Sequence, residues 1–197
     1  MKNKAGMICM ILGAAFVLAA LSLLLWNRQE DRKAGDSVEK LLPLVSEQMK
    51  KATDDGIYPD PYDSAMTEVE IDGYAYVGIL SIPAAGLELP VMSRWDDSRL
   101  KVAPCRYSGS TKTDDLVIAA HNYRRHFGSL SRLSEGDEVY FTDMDGVLSA
   151  YEVVTVEVLT PDAVEEMTAG EYDLTLFTCT YGGRSRTTVR CDRGSSH

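Results

Sequence analysis

The sequence predicts a mostly β domain, of barrel or sandwich type, carried behind a membrane-spanning helix. Three observations predict it. From Glu68 onward, β-prone runs at 70–82, 87–92, 116–120, 137–143, 147–159, 173–179 and 186–191 follow one another without an alternating helical pattern, and such a series reads as a barrel or a sandwich. Asp145-Gly146 lies between two of those runs, the residue pair that a two-residue hairpin favours. Ala5 to Trp26 holds no charged residue and is dominated by Ala, Leu, Met, Ile and Val, long and apolar enough to cross a bilayer as a helix.

That N-terminal run is longer than the apolar region of a cleaved secretory signal, so it reads as an uncleaved signal anchor over 5–27. Lys2 and Lys4 precede it while Arg28, Arg32 and Lys33 follow, and the positive charges alone do not orient it. Asp36 to about Lys51 predicts a juxtamembrane helix. Val38, Leu41, Leu42, Val45 and Met49 make one apolar stripe, suited to packing on the domain behind it. Pro43 falls inside this stretch and should kink or interrupt it. Thr53 to Ala65, rich in Asp, Gly, Pro and Tyr, reads as loop. Further on, Thr160 and Pro161 suit the N-cap and first position of a helix.

The chain carries 20 basic and 30 acidic residues, a formal charge of −10. Two of the lysines precede the apolar run, so the remainder is more negative still. Phosphate contacts need a basic surface, which argues against nucleic acid as a partner. Cys9 lies in the anchor, leaving Cys105, Cys179 and Cys191, an odd number, so at least one is unpaired in a monomer. The other two form either a disulfide or two buried thiols.

Leu174-Thr-Leu-Phe-Thr-Cys179 is a β-prone run ending on a thiol, followed by Gly182-Gly183 and a second run from Arg186. At period two, Thr175, Phe177 and Cys179 share a face. The glycines allow a reversal that sets Arg186 opposite Cys179. A thiol at a strand end beside a cation is where a nucleophile is expected. Arg190 shares the parity but lies about 13 Å further along, and Arg184 falls in the turn. Of the three histidines, His121 follows the apolar run Leu116–Ala120 at a strand's mouth, a rigid place for a catalytic group. His126 sits between Arg124, Arg125 and Phe127 and reads as a solvated loop residue. His197 ends a Gly-Ser-Ser-His tail like an expression-tag remnant. These residues lack the close Cys/His spacing of a structural zinc site, and no metal or cofactor is expected.

Thr175-Leu-Phe-Thr-Cys179 with Arg186-Thr-Thr-Val189 resembles the cysteine–arginine segment of sortases, the cysteine transpeptidases of Gram-positive surfaces. So do Val77–Pro83 with Leu87–Val91, the glycine turn Arg106-Tyr-Ser-Gly-Ser110, and the histidine strand Val117–Asn122. The resemblance implies a closed eight-stranded barrel over 68–193, with short helices near 127–133 and 160–167. It also implies a cytoplasmic tail at 1–4, an extracellular catalytic domain, a juxtamembrane helix and linker over 28–67, and a tail at 194–197. It implies Cys179 as nucleophile, His121 as general acid and Arg186 as stabiliser of the substrate carbonyl oxygen. Thr178 is expected to contact the peptide and Thr180 to lie beside it, with a nearby backbone N–H completing an oxyanion site. The implied partners are C-terminal sorting signals of the Leu-Pro-x-Thr-Gly kind and an amine from cell-wall precursor or pilin.

Hydrolysis by a cysteine peptidase and a non-catalytic binding module are the competing readings. Asp60-Pro61-Tyr62 is similar to the lid motif of pilin-polymerising sortases. The Thr-Leu-x-Thr-Cys-Thr string and the lack of a second apolar span lean instead toward the wall-anchoring or haem-protein-anchoring groups.

Overall fold

The computed structural model describes residues 2–54, 64–180 and 182–194. Its first element, α1 (Lys2–Asp54), is one long helix. The apolar side chains from Met7 to Trp26 are exposed along its first half, which is long and apolar enough to cross a membrane. The second half is the predicted juxtamembrane stripe, and it packs as expected. Leu41 and Val45 are buried against Ile71, Tyr76, Ile79 and Met92. The predicted break at Pro43 does not occur, for the helix runs through it. Proline removes one helix hydrogen bond and crowds the carbonyl four residues back, but the buried Leu41 and Val45 on either side hold the helix to the sheet. Asp60-Pro61-Tyr62 lies outside the described residues.

Nine strands follow: β1 (Val69–Ile71), β2 (Tyr74–Ile82), β3 (Leu87–Met92), β4 (Cys105–Ser108), β5 (Leu116–Ala120), β6 (Glu138–Asp143), β7 (Leu148–Leu159), β8 (Leu174–Cys179) and β9 (Arg186–Arg193). Their order is β1-β2-β3-β4-β5-β8-β9-β7-β6, and β6 returns to pair with β2. One edge of β2 is shared, Tyr74–Tyr76 taking β1 and Gly78–Ser81 taking β6. β2 to β9 therefore close an eight-stranded barrel, and β1 is a short flap on it. Closure leaves no free edge for stray pairing. Most pairs are antiparallel, but β3–β4 and β5–β8 are parallel. The barrel is filled by inward side chains such as Leu80, Leu89, Ile118, Phe141, Leu176 and Val189.

The sequence runs translate into strands with three departures. The 70–82 run is two strands, because Asp72 and Gly73 both take positive φ and reverse the chain. The 147–159 run is a single strand bent by a bulge between Val153 and Thr155. β4 falls where the sequence showed only a turn. That turn is present as well. Gly109 has φ +71, and a Cβ there would lie 1.9 Å from the Asp115 carbonyl oxygen. The Asp145-Gly146 hairpin joins β6 to β7, with the Asp143 carboxylate accepting the N–H groups of Asp145 and Val147. The helix expected near 127–133 is a single 3₁₀ turn, Leu130–Arg132. α2 (Val164–Thr168) begins after Ala163 rather than Thr160, since Thr160–Ala163 closes as a turn through an Ala163 N–H bond to the Thr160 carbonyl.

Gly109→Ala combines a left-handed backbone with a backbone clash, and should cost at least about 1–2 kcal/mol of stability. Chemical denaturation of the variant against the parent protein measures it.

Candidate active site

Alternation along β5, β8 and β9 sends one set of side chains into the barrel and the other outward. Leu116, Ile118, Leu174, Leu176, Val189 and Cys191 point in. Val117, Ala119 and Phe177 point out, into a separate apolar cluster with Met167 of α2. Cys179 ends β8 on this outer parity. The parallel register pairs Ala120 with Thr178, so the next residues, His121 and Cys179, are neighbours across adjacent strands. The antiparallel register pairs Cys179 with Arg186 on its other side. Strands lie about 4.8 Å apart. Imidazole, thiol and guanidinium thus stand in a row across three strands.

All three line one cavity of about 220 Å³. Its walls are largely apolar. Trp95 stacks on Tyr107 at 5.2 Å between ring centroids, and Tyr107 meets Phe177 edge-on at 5.2 Å. Leu100, Val164, Met167 and Pro161 line it too, and Asp97 places a carboxylate on its wall. A second cavity of about 400 Å³ opens on the other side of the thiol. Asn122, Gly128, Ser131, Thr180 and Thr187 border it with Cys179, and among the described residues no carboxylate does. Thr178 lines both, while its hydroxyl donates to the Ala120 carbonyl at 2.8 Å and ties the ends of β5 and β8 together.

Thr180 borders the second cavity and closes the turn behind the thiol. Its N–H donates to the Ser185 carbonyl at 2.9 Å, and its hydroxyl lies 3.0 Å from the Ser185 hydroxyl. Both bonds close the β8–β9 turn, in which Gly182 and Gly183 have φ of +86 and +71. The Thr180 N–H is therefore not a free oxyanion donor. Arg186 Nη1 donates to the Gly183 and Ser185 carbonyls, and the residue is partly buried at the rim of the cavity that holds Cys179.

His121 is half-buried, and its Nε2 has no hydrogen-bond partner among the described residues. Burial lowers its pKa, Lys101 adds to the effect, and Asp97 opposes it. The neutral imidazole is thus favoured at pH 7. His126 departs from its expected place in solvent: the ring is fully buried. Burial and the neighbouring His121 bring its pKa down to about 4. The flanking arginines were misleading, because they face outward while the histidine between them and Phe127 turns inward.

Arg190 is not a solvated edge residue either. Buried to 5 % exposure, it pairs with Glu157 at 2.8 Å. It also donates to Thr175 and to the carbonyls of Glu166 and Met167. It pins α2, one wall of the apolar cavity. Arg184 is exposed in the turn. Cys105 and Cys191 are free thiols buried in different clusters, each pushed up to about 12 by burial. Cys179 is the partly exposed one.

The aromatic wall escaped the sequence reading. Its one available signal was the Arg-Tyr-Ser string, in which Arg106 binds the Gly109 and Ser93 carbonyls while Tyr107 packs between Trp95 and Phe177.

Comparison with known proteins agrees with this geometry. The sortase domain profile matches residues 80–193, more than half of the chain, and the protein belongs to the sortase family. It is a sortase-type cysteine transpeptidase. Sortase A of Bacillus anthracis is 26% identical over 158 residues, covering 77% of this chain and 75% of that protein. Among solved structures, sortase C1 of Streptococcus suis is 27% identical with a TM-score of 0.54, covering 62% of this chain and 74% of that one. Sortase C1 of Streptococcus agalactiae is 25% identical with a TM-score of 0.56, covering 65% and 72%. Family membership sets aside the non-catalytic binding module.

Two outcomes check the site's framework. Arg190→Met leaves Glu157 unpaired and frees α2, and should cost about 3 kcal/mol, whereas Arg184→Ala should stay within about 0.5 kcal/mol; urea titration distinguishes them. His126, neutral when folded, binds its proton more readily unfolded, so its contribution is complete above the unfolded pKa near 6.5. It is lost as pH falls from there to about 4, a difference of about 3 kcal/mol. Denaturation between pH 7.5 and 4.5 should show this slope in the parent protein and a shallower one in His126→Phe.

Proposed function

We propose that this sortase cleaves a short C-terminal sorting signal of the Leu-Pro-x-Thr-Gly kind between Thr and the following residue, and transfers the acyl product to an amine. The observation that carries the reading is the row His121–Cys179–Arg186 on adjacent strands of one apolar cavity. The Cys179 sulfur attacks the threonine carbonyl carbon as its proton passes to His121. Arg186 stabilises the negative charge on the carbonyl oxygen. The imidazolium then gives its proton to the departing amine, leaving a thioester. An imidazole held below its ordinary pKa by burial makes a strong acid once protonated. The incoming amine loses a proton to His121 as it displaces the sulfur.

The apolar, aromatic cavity suits the Leu-Pro part of such a signal, with Thr178 in reach of its backbone. Two cavities meeting at one sulfur suit a reaction with two substrates, which favours transfer over hydrolysis. Among the described residues, the second cavity has amide and hydroxyl groups but no carboxylate. That lining fits a neutral peptide amine of a cell-wall precursor better than the ammonium of a pilin lysine. The apolar half of α1 anchors the enzyme in the cell membrane, N-terminus inside and barrel outside.

Mass spectrometry of products from a pentapeptide library, with diglycine and lysine acceptors side by side, tests the reading. Transfer to diglycine is expected, and products ending only in free carboxylate would favour the peptidase alternative. Cys179→Ala should abolish the thioester. Arg186→Ala should raise the barrier by at least about 2 kcal/mol; full turnover in that variant would remove Arg186 from its role.

A further inference from the structure

The loop that carries His121 is held by the helix that leaves the apolar anchor. Asp31 of α1 accepts the backbone N–H of Arg124 at 2.7 Å. Glu39 pairs with the Arg125 guanidinium at 2.7 Å. Between them Gly35 is buried, and a Cβ there would lie 2.7 Å from Arg125 Nε and 2.9 Å from its Cγ. A glycine inside a helix costs roughly 0.5–1 kcal/mol relative to alanine. Here it opens the notch through which Arg125 crosses. Ala34 beside it is fully buried.

Beneath this notch lies His126, whose nearest polar groups are the backbone of Ala34 and of Val102. Neither of its ring nitrogens meets a partner at full hydrogen-bond geometry, so packing holds the ring in place. Tyr123 links it to the site: its ring is 5.6 Å from that of His126 and 5.0 Å from that of His121. The Phe127 N–H returns to the His121 carbonyl at 3.2 Å, closing 121–127 into one compact turn. A contact made on α1 is thus transmitted through packed rings to the imidazole.

We propose that Asp31–Glu39 of α1 is a positioning element of the catalytic site, fixing the His121 imidazole by clamping the turn 121–127 through Asp31, the Gly35 notch and Glu39. His126 and Tyr123 are the positioning residues between helix and imidazole. The inference rests on His121 being the general acid. A displacement of order 1 Å in such a group costs rate more than peptide binding, because His121 is the one residue of the clamped turn in the lining of the peptide's apolar cavity, which Trp95, Tyr107, Phe177 and α2 otherwise form. The clamp begins five residues beyond Trp26, about 7.5 Å of helix rise, so the catalytic loop lies next to the end of the apolar run.

The test uses the full-length chain in lipid nanodiscs and a fluorogenic Leu-Pro-x-Thr-Gly peptide. Gly35→Leu should lower kcat about tenfold or more, with KM within about twofold and the barrel's melting temperature held. Glu39→Arg and Arg125→Glu, both exposed, should each lower kcat about two- to fivefold, and the double swap should recover it. Full turnover in Gly35→Leu, a rise in KM alone, or charge variants that the swap does not rescue would each overturn the clamp. His121→Ala is the separate control. If it kept turnover, the general-acid assignment would fail. A fully active Gly35→Leu beside an inactive His121→Ala would remove only the clamp.

Discussion

The register of three strands governs the site. β5 and β8 run parallel with Ala120 beside Thr178, and β8 and β9 run antiparallel with Cys179 beside Arg186. A slip of one residue in either pairing would send a reactive side chain into the barrel, since side chains alternate faces strictly. The barrel core opposes any such slip. Leu116, Ile118, Leu174, Leu176 and Val189 all occupy its interior, and a slip would turn each of them out into solvent. The Thr178 hydroxyl bond to the Ala120 carbonyl fastens the open end of the parallel pair. The row His121–Cys179–Arg186, to which we assign the chemistry, therefore draws its precision from hydrophobic burial on the opposite face of the same strands.

That coupling explains which features were legible in the sequence. Alternation in Leu174–Cys179 and the two glycines after it set the face of Cys179 and its partner Arg186, because both facts are local. Likewise the stripe Val38, Leu41 and Val45 predicted a docked helix, and the helix docks. Eightfold closure came only through family resemblance, since a run of strands says nothing about whether the last one returns to the first. β4 was missed because four residues carry too little alternation to stand apart from the turn they enter. His126 was misplaced because its neighbours in sequence are charged, while its neighbours in space are Ala34 of α1 and Val102, roughly ninety and twenty residues away by number. Thr160 and Pro161 have helix-start chemistry, yet a turn ending on Ala163 satisfied the same backbone groups first.

Arginines show the same contrast between residue type and context. Arg184, Arg186 and Arg190 share a parity, but each meets a different environment. Arg184 is in water. Arg186 rests on the turn carbonyls at the cavity's rim. Arg190 is almost wholly buried with a carboxylate, a hydroxyl and two carbonyls. A guanidinium taken so far out of water persists only where its donors are matched, and such a network fixes geometry. Here it fixes α2, so a residue remote from the thiol shapes the groove in which the peptide would lie.

The membrane-proximal helix adds a constraint that a flexible linker could not. A linker of n residues leaves its ends free over about 5–6 Å times the square root of n, so a domain on one samples many heights and tilts. In this protein the same helix runs from the apolar segment through the docking stripe, and its side chains are buried in the barrel's outer face. If the apolar half spans the bilayer, the barrel has one orientation relative to it, with turn 121–127 nearest the end of the apolar run. Both cavities flank Cys179 close to that turn. A substrate held at the membrane surface would then meet the thiol without a search through solution, and anchoring would contribute to the reaction through geometry as well as through location.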